Sequence, residues 1–169
     1  MKEDFSMVIL GIDPGYAIVG YGVIKYDKNR FSVIDYGAIT TQAKTPFNER
    51  LLTIYNELTD IIKKYNPEQM AIEKLFYNTN AKTVIDVAQA RGVIMLTAEM
   101  NGLKPFEYTP LQVKQSVVGY GRAEKKQVQE MTRVILNLDK VPKPDDTADA
   151  LAMAICHAHS SGSIINLLP

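Results

Sequence analysis

Met7-Val8-Ile9-Leu10-Gly11-Ile12-Asp13-Pro14-Gly15 is an apolar run closed by an aspartate and then halted by a turn dipeptide. Its length suits a buried strand, and Pro14-Gly15 marks where the strand stops. Downstream, Ile18 to Tyr26 and Phe31 to Thr40 flank the polar loop Asp27-Lys28-Asn29-Arg30, with Val23, Ile24, Val33 and Ile34 supplying β-branched content. Two consecutive hairpins of this kind predict a three-stranded antiparallel meander. Upstream, Lys2, Glu3 and Asp4 are charged. The apolar run behind them is too short for a signal-peptide core or a membrane span.

Beyond residue 40 the period changes to that of a helix. Thr45 is the expected N-cap with Pro46 at the first helical position. Phe47, Leu51, Ile54, Leu58, Ile61 and Tyr65 then recur at spacings of three and four on one apolar face, up to Asn66-Pro67. Met70-Ala71-Ile72 reads as a short buried strand closed by Glu73. The polar loop Tyr77 to Asn80 precedes a long helix from Ala81 to Met100, and Pro105 to Tyr108 is a fifth strand. Helices are expected over Pro110–Val118 and Glu124–Leu138, the second with Val128, Met131, Ile135 and Leu138 on one face. Gly119-Tyr120-Gly121 joins them, and a last helix runs from Asp146 to Ser160. Three strands, then alternating helix and strand, make an α/β fold around a central mixed five-stranded sheet with helices on both faces.

No repeat or linker divides the 169 residues, so residues 1–169 are expected to form a single domain. With 46% hydrophobic and 22% charged residues the chain is an ordinary globular one, and a cytoplasmic protein is expected. The lone Cys156 excludes an intrachain disulfide and reads as a buried small hydrophobe. A net charge of +0 does not announce a polyanion-binding protein. Between Lys74 and Lys126, however, eight basic residues face four acidic ones, and the remainder carries the opposite excess. A local basic face is what phosphates respond to.

Five acidic residues stand at the ends of elements. Asp13 and Glu73 close strands, from which a carboxylate points into the edge crevice where α/β proteins bind ligands. Asp145, Asp146 and Asp149 open the final helix, and Asp146 and Asp149 are spaced to share one face. Such oxygen donors suit Mg²⁺ or Mn²⁺. Each has a structural alternative: Asp13 as a turn starter, Glu73 as a solvated strand end, Asp145 or Asp146 as a helix cap. Asp149, within the otherwise apolar stretch Ala148 to Ile155, needs a partner for its charge.

Together with the stretches Ile9–Gly15, Gly20-Tyr21-Gly22-Val23-Ile24 and Ala71-Ile72-Glu73 with Phe76, the sequence holds Gln89-Ala90-Arg91-Gly92-Val93 and Val113-Lys114-Gln115. Val117-Val118-Gly119, Ala123-Glu124-Lys125 and Ala148-Asp149-Ala150-Leu151-Ala152 complete the set. In this order they resemble the RuvC-type Holliday-junction resolvases over nearly the whole chain. The resemblance implies a ribonuclease H-like fold and an endonuclease that resolves four-way DNA junctions by paired nicks, leaving 5′-phosphate and 3′-hydroxyl ends. It implies Asp13, Glu73, Asp146 and Asp149 as catalytic and metal-binding carboxylates holding two Mg²⁺ ions, with Mn²⁺ as substitute, and favours Asp146 over its neighbour Asp145. Phe76, Lys114 and Lys125 match DNA-contacting positions. The implied partners are the four-way junction, a second copy of the chain, and the RuvA–RuvB branch-migration complex.

Rival readings are another ribonuclease H-like nuclease, and a non-catalytic junction-binding scaffold. An actin- or Hsp70-type ATPase shares the Ile-Asp-x-Gly strand end, but it needs a second glycine-rich loop that this chain, with no Gly-Gly pair, lacks. Arg91 matches the resemblance on the long helix, with a snorkelling surface residue as its structural alternative. The helix from Ala81 to Met100 is apolar over more than one stripe, so it must be covered on two sides, by the sheet and by either other helices or a second subunit. Val87 and Met95 are the residues nominated for that second face.

Overall fold

The computed structural model describes residues 6–76 and 81–165, the side chains of residues 81 and 162–165 excepted; the loop expected at Tyr77 to Asn80 lies outside the described residues. Five strands, β1 (Ser6–Asp13), β2 (Ile18–Asp27), β3 (Arg30–Thr40), β4 (Gln69–Glu73) and β5 (Lys104–Tyr108), form one sheet in the order β3-β2-β1-β4-β5. The meander is antiparallel, and β4 and β5 join parallel to β1. The helices are α1 (Phe47–Tyr65), α2 (Ala81–Met100), α3 (Pro110–Val118), α4 (Lys125–Ile135) and α5 (Asp145–Ile165).

Strand alternation sorts β1 and β4 into two cores. Leu10, Ile12, Met70 and Ile72 pack with Ile54, Leu58, Ile94 and Ala98 of α1 and α2. Met7, Ile9 and Ala71 face the opposite side, with Leu151, Ile155 and the helices α3 to α5. Asp13 and Glu73 continue the second series, so strand parity alone puts both carboxylates on the α5 side.

The expected faces need three corrections. Thr45 does not cap α1: Pro46 is the N-cap residue, in extended conformation and without a side-chain cap hydrogen bond, so the helix starts at Phe47. The carbonyl of Pro46 is already the first acceptor, taking the N–H groups of Glu49 and Arg50. The deeply buried α1 residues are Arg50, Ile54, Leu58 and Ile62, with Leu51, Ile61 and Tyr65 only flanking them. Helix α4 ends at Ile135 rather than Leu138, because Asn137 turns the chain with a left-handed φ. It buries Val128, Gln129 and Thr132, and leaves Met131 exposed. In α2 the buried stripe is Ala90, Ile94 and Ala98. Val87 lines a cleft at the sheet edge that carries Glu73, and Met95 flanks the α1–α2 core. The outward apolar residues are instead Ile85 (66% exposed), Leu96 (58%) and Met100 (62%). Periodicity found the excess apolar surface of α2 but not its direction.

Candidate active site

Residues Ile12 and Ile72 pair in parallel register, so the next residue of each strand, Asp13 and Glu73, ends beside the other at the same sheet edge. Asp146 and Asp149 reach them because α5 lies unusually close to the sheet. Gly11 pairs with Gly22, and Gly20 pairs with Asp13. A Cβ on Gly11 would drive into the backbone oxygen of Ala150, one on Gly20 into that of Asp146, and one on Gly22 into the side chain of Leu151. Glycine inside a strand weakens it, and here the absent side chains make the bed for the first turns of α5. The close approach turns a helix start into one wall of the site.

The electrostatics follow from that crowding. Burial pushes the Asp13 carboxyl up to about 8, reinforced by the negative charges of Asp149, Glu73 and Asp146, while Lys125 opposes the shift. Glu73 is raised by burial and then by Asp149. Asp149 is also raised, chiefly by burial, against a hydrogen bond from Lys125. The Lys125 ammonium lies 2.9 Å from Asp149 Oδ2 and 3.9 Å from Asp145 Oδ2. Asp145 is engaged elsewhere: Lys143 Nζ donates to its Oδ1 at 2.5 Å and holds it below the usual carboxylate range. Of the adjacent pair, Asp146 is the one whose charge bears on Asp13.

These groups open onto a cleft of about 290 Å³, lined by Asp13, Glu73, Asp149, Lys114 and Lys125 and walled by apolar residues such as Val113 and Met153. Beside it a second cleft, of about 220 Å³, shares Glu73 and adds Lys74, Phe76 and Val87. Phe76 is 49% exposed. The structure therefore brings Asp13, Glu73, Asp149, Lys114 and Lys125 to one cleft, with Asp146 within electrostatic reach and Phe76 at the neighbouring rim.

The donor set can be tested for fit to a metal. Among the described residues, no three His, Cys, Asp or Glu side chains are drawn together tightly enough to hold an ion as they stand. Like charges keep apart, and Lys125 supplies the positive charge that Asp149 now uses. Hard carboxylate oxygens from three separate elements, one of them pushed up by burial and then by its acidic neighbours, nonetheless fit a hard divalent cation.

The family model for crossover junction endodeoxyribonuclease RuvC matches residues 9–157. The chain belongs to the RuvC family. The crossover junction endodeoxyribonuclease RuvC of Ruminiclostridium cellulolyticum is 62% identical over 154 residues, covering 91% of this chain and 93% of that one. The Thermus thermophilus RuvC structure superposes with a TM-score of 0.87 at 32% identity, covering 93% of this chain and 96% of that one. The same Thermus protein in complex with Holliday junction substrate gives 0.85 at 30% identity, with the same coverage. The fold is thus ribonuclease H-like.

Sequence reasoning missed two things in this RuvC-family chain. The bed of Gly11, Gly20 and Gly22 left a legible signal, since glycines inside strands demand a reason. Arg91 left none. It is not a snorkelling surface residue: its side chain is 14% exposed and paired with Glu107, because α2 sets it over the ends of β4 and β5, within reach of the Glu73 carbonyl and Glu107.

Proposed function

We propose that this chain is a structure-selective endonuclease that resolves four-way Holliday junctions in DNA recombination and repair, by paired nicks that leave 5′-phosphate and 3′-hydroxyl ends. The observation that carries the reading is the cleft itself. Half-buried carboxylates at the ends of β1 and β4 meet α5 there, and two lysines border them. Asp13, Glu73, Asp146 and Asp149 would hold two Mg²⁺ ions, with Mn²⁺ as substitute. When bound, such a pair stabilises the attacking and leaving oxygens of an in-line phosphodiester displacement. Asp13 would hold a metal as its ionised carboxylate, since only the ionised carboxyl is a strong donor. Lys114 and Lys125 neutralise phosphates at the cleft, with Lys125 leaving Asp149 to do so. The apolar wall of Val113 and Met153 limits water around the charged groups. Phe76, exposed at the rim, stacks on an unpaired base at the branch point.

Two cuts in register require two sites at a set distance, which a twofold dimer provides. Ile85, Leu96 and Met100 on α2 form the apolar stripe offered to a second copy, with open space above Gly92 between them. The protein acts on DNA in the cytoplasm, and no described helix is long and apolar enough to cross a membrane.

The test compares four-way junction, linear duplex and RNA–DNA hybrid at equal salt, with Mg²⁺, using the unmodified chain and the variants Glu73→Gln, Asp146→Asn, Asp149→Asn and Asp145→Asn. Paired cutting confined to the junction is expected. The first three variants lose it by at least about 100-fold while still binding junctions, and Asp145→Asn stays active. Preferential cutting of hybrid would favour a different ribonuclease H-like nuclease, and junction binding without any cutting would favour a scaffold.

A further inference from the structure

We infer that Arg91 is a positioning residue for Glu73, tying the catalytic ends of β4 and β5 to α2 through a single guanidinium. This rests on the reading of Glu73 as a metal ligand. Arg91 Nε donates to the backbone carbonyl of Glu73 at 3.2 Å, and Nη2 lies 3.0 Å from Glu107 Oε2. Glu107 on β5 pairs in register with Ile72, the residue before Glu73, and Tyr108 pairs with Glu73 itself. One side chain from the helix therefore grips two neighbouring strands at the edge where the carboxylates are displayed.

A burying fold does not place a guanidinium there cheaply. Removing a cation from water is costly unless charge and hydrogen bonds are returned to it. Nη2 is buried, and although Glu107 stands within ion-pair distance it makes no hydrogen bond of good geometry. The ion pair is held by placement rather than by ideal contact, which is what a strut between fixed elements looks like. Nor is this charge offered to DNA, since only 14% of the side chain is exposed. What remains is its effect on Glu73. The carbonyl that Arg91 holds belongs to the same residue as the carboxylate in the cleft, so fixing the peptide narrows the directions in which that carboxylate points. Glu73 is the last residue of β4, and past it one further bond, from the Lys74 N–H to the Tyr108 carbonyl at 2.8 Å, ties the backbone to β5. A planar fork spans two acceptors in fixed geometry, and an ammonium reaches only one of them well.

The experiment uses Arg91→Lys and Glu107→Gln in the full-length protein, with Glu73→Gln alongside and Leu103→Ala as a core substitution at the other end of β5. Three quantities are read: Mn²⁺ affinity of the DNA-free protein by titration calorimetry, junction affinity in Ca²⁺, and single-turnover cleavage of bound junction in Mg²⁺. Arg91→Lys should weaken Mn²⁺ binding and slow single-turnover cleavage by about 10- to 100-fold, with junction affinity within about twofold of the unmodified protein. Glu107→Gln should shift both in the same direction by less. Leu103→Ala should lower the melting temperature and leave Mn²⁺ affinity unchanged. If Arg91→Lys keeps Mn²⁺ affinity and cleavage while Glu73→Gln loses both, the strut is wrong and the ligand stands. If Glu73→Gln itself binds Mn²⁺ and cuts normally, the ligand reading falls and the role of Arg91 falls with it. A loss of Mn²⁺ affinity in Leu103→Ala equal to that in Arg91→Lys would reduce Arg91 to general stability and overturn the proposal.

Discussion

Asp13→Asn, studied without metal, separates the electrostatic account of the site from mere proximity of acidic residues. The Asp13 carboxyl is raised from 3.8 to about 8 in the folded protein, by burial first and by Asp149, Glu73 and Asp146 after it. A carboxyl whose folded value is raised binds its proton more tightly folded than unfolded. Its protonation therefore supports the fold fully only below about 3.8, and that support falls steadily as pH rises from there through the folded value of about 8. At pH 6 the folded group holds its proton and the unfolded one is ionised. The difference between pH 6 and pH 9 is then RT ln(1 + 10²), about 2.7 kcal/mol, or roughly 5–10 °C in melting temperature for a chain of this size. Asparagine carries no such dependence. In chelator, Asp13→Asn should already melt above the unmodified protein near pH 6, where the unfolded carboxyl is ionised, and the gap should widen by roughly 5–10 °C by pH 9. Subtracting the two curves removes what both share, including His157, held down to about 4 by burial, and Cys156, pushed up to about 11 by burial. Mg²⁺ at about 100 times its dissociation constant should restore about 2.7 kcal/mol to the unmodified protein at pH 9 and little to the variant. Thermal melts followed by circular dichroism across pH 6 to 9 are sufficient. Parallel curves for the two proteins would refute the crowded-carboxylate account, whatever the activity of either.

Replacing Lys114 or Lys125 with Gln should flatten the log–log salt dependence of junction binding by about one unit each, measured by fluorescence anisotropy. An unchanged slope would return that lysine to the solvated surface. Leu96→Glu or Ile85→Glu should yield a folded monomer that nicks without paired cutting, seen by sedimentation and by product analysis on a supercoiled cruciform, because a charge would be buried unpaired in the interface. A persistent dimer in both variants would move the interface away from this stripe. Gly20→Ala should push α5 off the sheet, costing about 1–3 kcal/mol in stability and displacing Asp146, with cleavage falling further than the melt alone accounts for. Retained stability with retained cutting would show that the close helix approach is not what builds the site.

The alternating and apolar runs of β1 to β3, the 3.6-residue rhythm of α1 and the stop at Asn66-Pro67 are local features, and sequence reading located each within a residue or two. The ordered motifs from Ile9–Gly15 to Ala148–Ala152 were enough to state the family resemblance that the RuvC match over residues 9–157 bears out. Strand parity, once the β1–β4 register is known, puts Asp13 and Glu73 on one side of the sheet. Side-chain direction on helices was less legible, because it depends on which neighbour each face meets: Val87 and Met95 turned inward, Ile85 and Leu96 outward. Only the tertiary structure decided that Lys143 engages Asp145, that Lys125 takes Asp149, and that Arg91 is largely covered and paired with Glu107 rather than a surface cation. It alone decided that Asp13 keeps a proton near neutrality. Residue identity and spacing carry propensity, which acts over a few neighbours. Burial and the field of other charges depend on atoms brought together from distant parts of the chain, and those exist only once α5 has settled onto the glycines of β1 and β2.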